Sequence, residues 1–105
     1  MRLTADECLA IERAARATLQ TGTRVSLFGS RVDDARRGGD IDLFVETPAP
    51  LPADELVQRR QHFVAMLYRL LGERRIDVLV VPEHGHDDRP VVAAARRQAV
   101  ELVRT

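Results

Sequence analysis

The chain has 105 residues, of which 45% are hydrophobic, so it reads as one globular domain with room for a core of its own. Sixteen basic and sixteen acidic residues cancel, which excludes a global electrostatic drive toward nucleic acid or an anionic membrane. The single cysteine, Cys8, excludes an internal disulfide. Thr4 and Glu7 form a Thr-x-x-Glu capping box, and the spacing predicts a helix from there to about Leu19. Cys8 falls on its apolar stripe with Ile11, Ala15 and Leu19, as a small core residue. Gly22 ends the helix, and Arg24 to Phe28 reads as a first strand. Ser30 to Arg36 suits a short helix or turn broken by Gly38-Gly39. Asp40 to Glu46 alternates with period two and reads as a second strand. Pro48, Pro50 and Pro52 mark a stiff loop.

A second long helix is expected over Ala53–Leu71. Leu56, Phe63, Leu67 and Leu70 form its stripe, broadened by Val57, Val64 and Leu71, and Gly72 is its stop signal. Arg75 to Val81 reads as a third strand and Pro82 to Arg89 as a polar loop. A last helix is expected from Pro90 to about Val103. The expectation is a small sheet of three strands with the long helices packed against one face. There is no signal-peptide h-region and no apolar run of the ~18 residues that span a membrane, which points to a cytoplasmic chain.

Chemistry concentrates between Leu27 and Leu43. Strand one runs into Gly29-Ser30-Arg31; nine residues separate Ser30 from Asp40-Ile41-Asp42 on strand two. A glycine lets a phosphate approach the backbone, and amides at a following turn are ready anion donors. Strand alternation puts Asp40, Asp42, Phe44 and Glu46 on one face and Ile41, Leu43 and Val45 on the other, the core face. Asp40 and Asp42 then lie roughly 6.5 Å apart along the strand. By the same count Asp77 projects away from Ile76, Val78 and Val80. If strands two and three are neighbours, three carboxylates share a face and can hold two Mg²⁺ about 3.5–4 Å apart. The bland alternative is ion pairing of these aspartates with Arg75 or Arg24. Charges set into Val/Leu/Ile strands are costly without such a purpose. The chain has no lysine, so arginine, backbone N–H groups or metal must meet any phosphate.

Gly29-Ser30, Asp40-x-Asp42 and Asp77 in a later strand resemble the DNA polymerase β-like nucleotidyltransferase superfamily. The short chain with Leu-Phe-Gly-Ser-Arg and Asp-Ile-Asp-Leu looks like its minimal nucleotidyltransferase (MNT) antitoxin branch, over nearly the whole length. The resemblance implies an α/β nucleotidyltransferase fold with a small mixed sheet of three or slightly more strands, helices mainly on one face. It implies Asp40, Asp42 and Asp77 as catalytic metal ligands, the last as ligand or base. It implies Gly29 and Ser30 on the phosphates of ATP, with Arg31 a further contact. Members of that group transfer AMP to a tyrosine of a partner HEPN ribonuclease toxin. Val32-Asp33-Asp34 departs from the small residue and Arg-Gly that many relatives carry after Gly-Ser-Arg. The alternatives are an antitoxin that only masks its toxin, and a small-molecule nucleotidyltransferase.

Other readings are quieter. The face bearing the aspartates is expected to expose Phe44, Leu79 and Val81 to a partner protein. His84-x-His86 reads as loop, Tyr68 as packing at a helix edge, and Arg96-Arg97 as a solvated face. No direct nucleic-acid contact and no membrane association are expected.

Overall fold

The computed structural model describes residues 3–29, 41–72 and 74–105. The elements are α1 (Ala5–Thr18), β1 (Arg24–Phe28), β2 (Ile41–Thr47), α2 (Ala53–Leu71), β3 (Ile76–Pro82), α3 (Pro90–Gln98) and β4 (Val100–Arg104). α1 starts where the sequence says it should. The Thr4 hydroxyl accepts from the Glu7 amide at 3.0 Å, and the Glu7 carboxylate accepts from the Thr4 amide at 2.8 Å. Two orphan donors of the first turn are thereby satisfied. α2 ends at Gly72, whose φ of +80° an L side chain adopts only at a cost.

The strands form one mixed sheet in the order β3-β2-β1-β4. β1 pairs antiparallel with both β2 and β4, and β2 pairs parallel with β3. α1 and α2 cover one face. Ile11, Ala14 and Ala15 of α1 and Phe63 and Leu67 of α2 are buried with Val25, Leu27, Ile41, Leu43, Val45, Ile76, Val78 and Val103 of the sheet. Strand alternation assigned Ile41, Leu43 and Val45 to this face correctly. The α2 stripe is narrower than its sequence, since Val57 and Leu70 are exposed. Cys8 is half-buried and lies outside the core.

Two further expectations are corrected. The last helix stops at Gln98 rather than near Val103, because Ala99 turns extended and residues 100–104 form a fourth strand. Val-Glu-Leu-Val is too short for periodicity to separate helix from strand, and the open edge of β1 decides the matter by supplying a backbone ladder. The second correction concerns the other face of the sheet. It is covered within the chain: Phe44 and Val81 are buried against Val92 and Ala95 of α3, with Phe28, Leu79 and Ala99 packed around them. Phe44 is therefore core and not an exposed partner patch. No helix among the described residues is long and apolar enough to cross a membrane.

Candidate active site

The α3 face of the sheet is built in rows set by strand register. Phe28, Asp42 and Asp77 stand opposite one another in the first row. Ser26, Phe44 and Leu79 form the second, and Arg24, Glu46 and Val81 the third. Residues paired in register point to the same side of a sheet, so Asp42 and Asp77 project together. Their strands are adjacent and parallel, which sets their backbones roughly 4.8 Å apart. Both stand at the N-terminal ends of their strands, beside the C-terminal end of β1. Among the described residues α3 closes over the second row and not over this rim: Asp42 is half-buried and Asp77 exposed.

Gly29 fixes how closely β1 approaches that rim. Its φ is +80°, and a Cβ built on it would lie 2.5 Å from Asp42 Oδ2 and 3.2 Å from its Cγ. The carboxylate of Asp42 thus fills the space a side chain at 29 would need. Only glycine satisfies both the backbone angle and the contact.

Ser30, Arg31 and Asp40, expected at this site from the sequence, lie outside the described residues, as do the short helix over 30–36 and Asp33-Asp34. Of the sequence-derived site residues, the structure therefore brings together Gly29, Asp42 and Asp77. Among the described residues no group of three His, Cys, Asp or Glu side chains is placed to hold a metal ion. Asp42 and Asp77 are two hard oxygen donors side by side, a set that fits Mg²⁺ in kind.

The ion-pair alternative for Asp77 is not observed. Among the described residues Asp77 has no hydrogen bond or ion pair. Arg24 is committed elsewhere: its guanidinium lies 2.9 Å from Glu46. Glu46 is only 4% exposed and also lies 4.0 Å from Arg96, so it is a buried counter-ion two rows from the aspartates rather than a fourth acid of the site. Arg96 further donates to the Pro82 carbonyl at 3.1 Å, which ties α3 to the end of β3. It is thus more than a solvated charge. His84 and His86 are exposed in the loop, and Tyr68 is 41% exposed on α2 rather than packed.

One residue at the rim had no sequence signal. Arg60 of α2 reaches past the edge of β3, and its Nε donates to the Val78 carbonyl at 3.0 Å. It lines a cavity of about 230 Å³ with Asp77, Val78, Leu79, Phe28 and Val91. On the sequence Arg60 is one of several polar residues on a helix, and only the three-dimensional edge of β3 singles it out.

A four-stranded mixed sheet with three helices and two carboxylates side by side is consistent with a nucleotidyltransferase fold. Comparison with known families agrees: residues 10–100 match the family described as Nucleotidyltransferase domain. The chain belongs to that family. Among proteins of curated function none matches the chain.

Proposed function

We propose that this chain transfers AMP from ATP, with Mg²⁺, onto a tyrosine hydroxyl of a partner HEPN-type toxin, and so acts as the antitoxin of the pair. The observation that carries the chemical part is the register of Asp42 with Asp77 on adjacent parallel strands, next to a glycine whose missing side chain leaves room for Asp42. The toxin and tyrosine parts are supported by the resemblance of Leu27 to Leu43 to the MNT group.

In the proposed reaction the acceptor oxygen attacks the α-phosphorus of ATP. An oxygen–phosphorus bond forms there, the bond to the bridging oxygen breaks, and pyrophosphate leaves. A tyrosine hydroxyl has a pKa near 10, so at neutral pH its proton needs an acceptor. Asp77, exposed and without a partner among the described residues, takes that proton. Asp42, with Asp40 two residues earlier, would hold the metal, and Asp77 would complete the set. When bound, Mg²⁺ would supply charge neutralisation on the phosphates and a lowered pKa for the attacking hydroxyl. Gly29 and Ser30 would present backbone and hydroxyl donors to the phosphates.

The test is the intact mass of the protein that co-purifies with this chain from its host, with wild type against an Asp40→Ala, Asp42→Ala double variant. AMP added to the partner only by wild type establishes the reading and identifies the acceptor. An unmodified partner in both would replace it with masking, and the lack of any partner would redirect the search to small-molecule acceptors.

A further inference from the structure

Resting on the transferase reading, we infer that the cavity at the open edge of β3 is the acceptor subsite. We also infer that Arg60 makes it select a hydroxyl side chain flanked by carboxylates on a protein segment.

The topology separates two sides of the rim. Gly29 ends β1, Asp42 lies on β2 and Asp77 on β3, so Gly29 and Asp77 are roughly 10 Å apart across two strand spacings. Phosphates held at Gly29 enter from the β1 side. The acceptor must then approach from the other side, past β3, which is an edge strand. There Arg60 of α2 and Val91 of α3 flank a cavity walled by Phe28 and Leu79, with Asp77 on its lining. At about 230 Å³ it is smaller than the ~300–1,000 Å³ of sites that enclose a whole small molecule. It suits one side chain presented by a larger partner.

Arg60 supplies the charge. Its Nε is used on the Val78 carbonyl, and this blocks the pairing of another strand at that point of the edge. Its two terminal nitrogens have no partner among the described residues. A guanidinium anchored through Nε, with two NH2 groups left over, is a preorganised fork for a carboxylate. Among the described residues neither Asp77 nor any other carboxylate pairs with it, so there a carboxylate from outside has none to displace.

The test is fluorescence anisotropy with two labelled peptides, one carrying glutamate on each side of a tyrosine and one carrying glutamine there. Wild type should bind the glutamate peptide about tenfold more tightly, the scale of one charge-assisted hydrogen-bonded contact. Arg60→Gln should abolish the difference, and Arg60→Glu should invert it toward a lysine-flanked peptide. A role confined to capping the Val78 carbonyl would leave the ratio of the two affinities unchanged in either variant, and that result overturns the inference. So would equal affinities in wild type, or an Arg60→Gln variant that weakens ATP binding in place of the peptide preference. The same peptides are then assayed for AMP incorporation. An intact binding preference without incorporation would sustain the subsite and refute the transfer reading, whereas incorporation without preference would do the reverse.

Discussion

Gly29 and Asp42 compete for one volume, and the competition has a measurable consequence. In Gly29→Ala the new Cβ would meet Asp42 Oδ2 at 2.5 Å, while the backbone would be held at a φ that L residues adopt poorly. The backbone term costs about 1–2 kcal/mol. The contact is with the tip of a side chain, which can rotate away at less cost than backbone can move. Asp42 would then leave its place beside Asp77. Urea denaturation should show a loss of about 1–2 kcal/mol, and transferase activity should fall by more than that change in folded fraction explains. Asp77 separates the same two properties in the opposite way. It is exposed and without a partner among the described residues, so Asp77→Asn should leave stability within about 0.5 kcal/mol. If it serves as base, the variant should lose AMP transfer by roughly 10²-fold or more. A large drop in stability would assign Asp77 a structural role instead.

At the scale of elements, what the chain makes legible depends on the range of the forces involved. The ranges of β1 and α2 are as expected, because local signals bound them: Gly22 and Gly29 around the strand, the proline loop and Gly72 around the helix. The common face of Asp42 and Asp77 was readable because period-two alternation is a local rule, and the parallel pairing of their strands satisfied its one condition. β4 was not readable. Its strand state comes from pairing with β1, whose residues stand 73 to 80 positions earlier than their partners, and from Thr105, whose amide and hydroxyl bond to the Thr23 and Gln20 carbonyls at 2.9 Å and 2.8 Å. Arg60 was unreadable for the same reason, since its partner carbonyl belongs to another element. The loop that delivers α3 carries a local device of its own. The Arg89 side chain, and after it the Arg89 backbone N–H, donate to the Asp87 carboxylate and hold its pKa at about 2, below the ordinary 3.8. The folded state therefore binds this proton less readily than the unfolded chain. The clasp's contribution is complete above about pH 3.8 and is lost as the pH falls toward about 2. A carbon-detected NMR titration of the Asp87 carboxyl should give a midpoint near 2, and Arg89→Gln should move it back toward 3.8.

The described residues form a sheet with two covers of unequal size, and the candidate site lies where the smaller one ends. α1 and α2 cover the broad core, whereas α3 closes a second cluster around Phe44 and Val81 and stops short of the aspartate row. Phe44 is the largest fully buried side chain of that second cluster and makes an edge-on contact with Phe28, ring centroids 6.2 Å apart. Phe28 stands in the same row as Asp42 and Asp77, so the packing under α3 also supports the floor of the site. Phe44→Ala should cost about 3 kcal/mol, the usual scale for emptying a buried phenylalanine site. A domain with ~5–15 kcal/mol of stability remains folded after such a loss. The damage should be local, because α3 and its cluster share few buried neighbours with α1 and α2. Hydrogen exchange should therefore show the amides of α3 losing protection first, with those of α1 and α2 slowed nearly as in wild type. A uniform loss across all three helices would mean that the two covers open as one unit, and that the rim of the site owes its shape to the whole core rather than to α3.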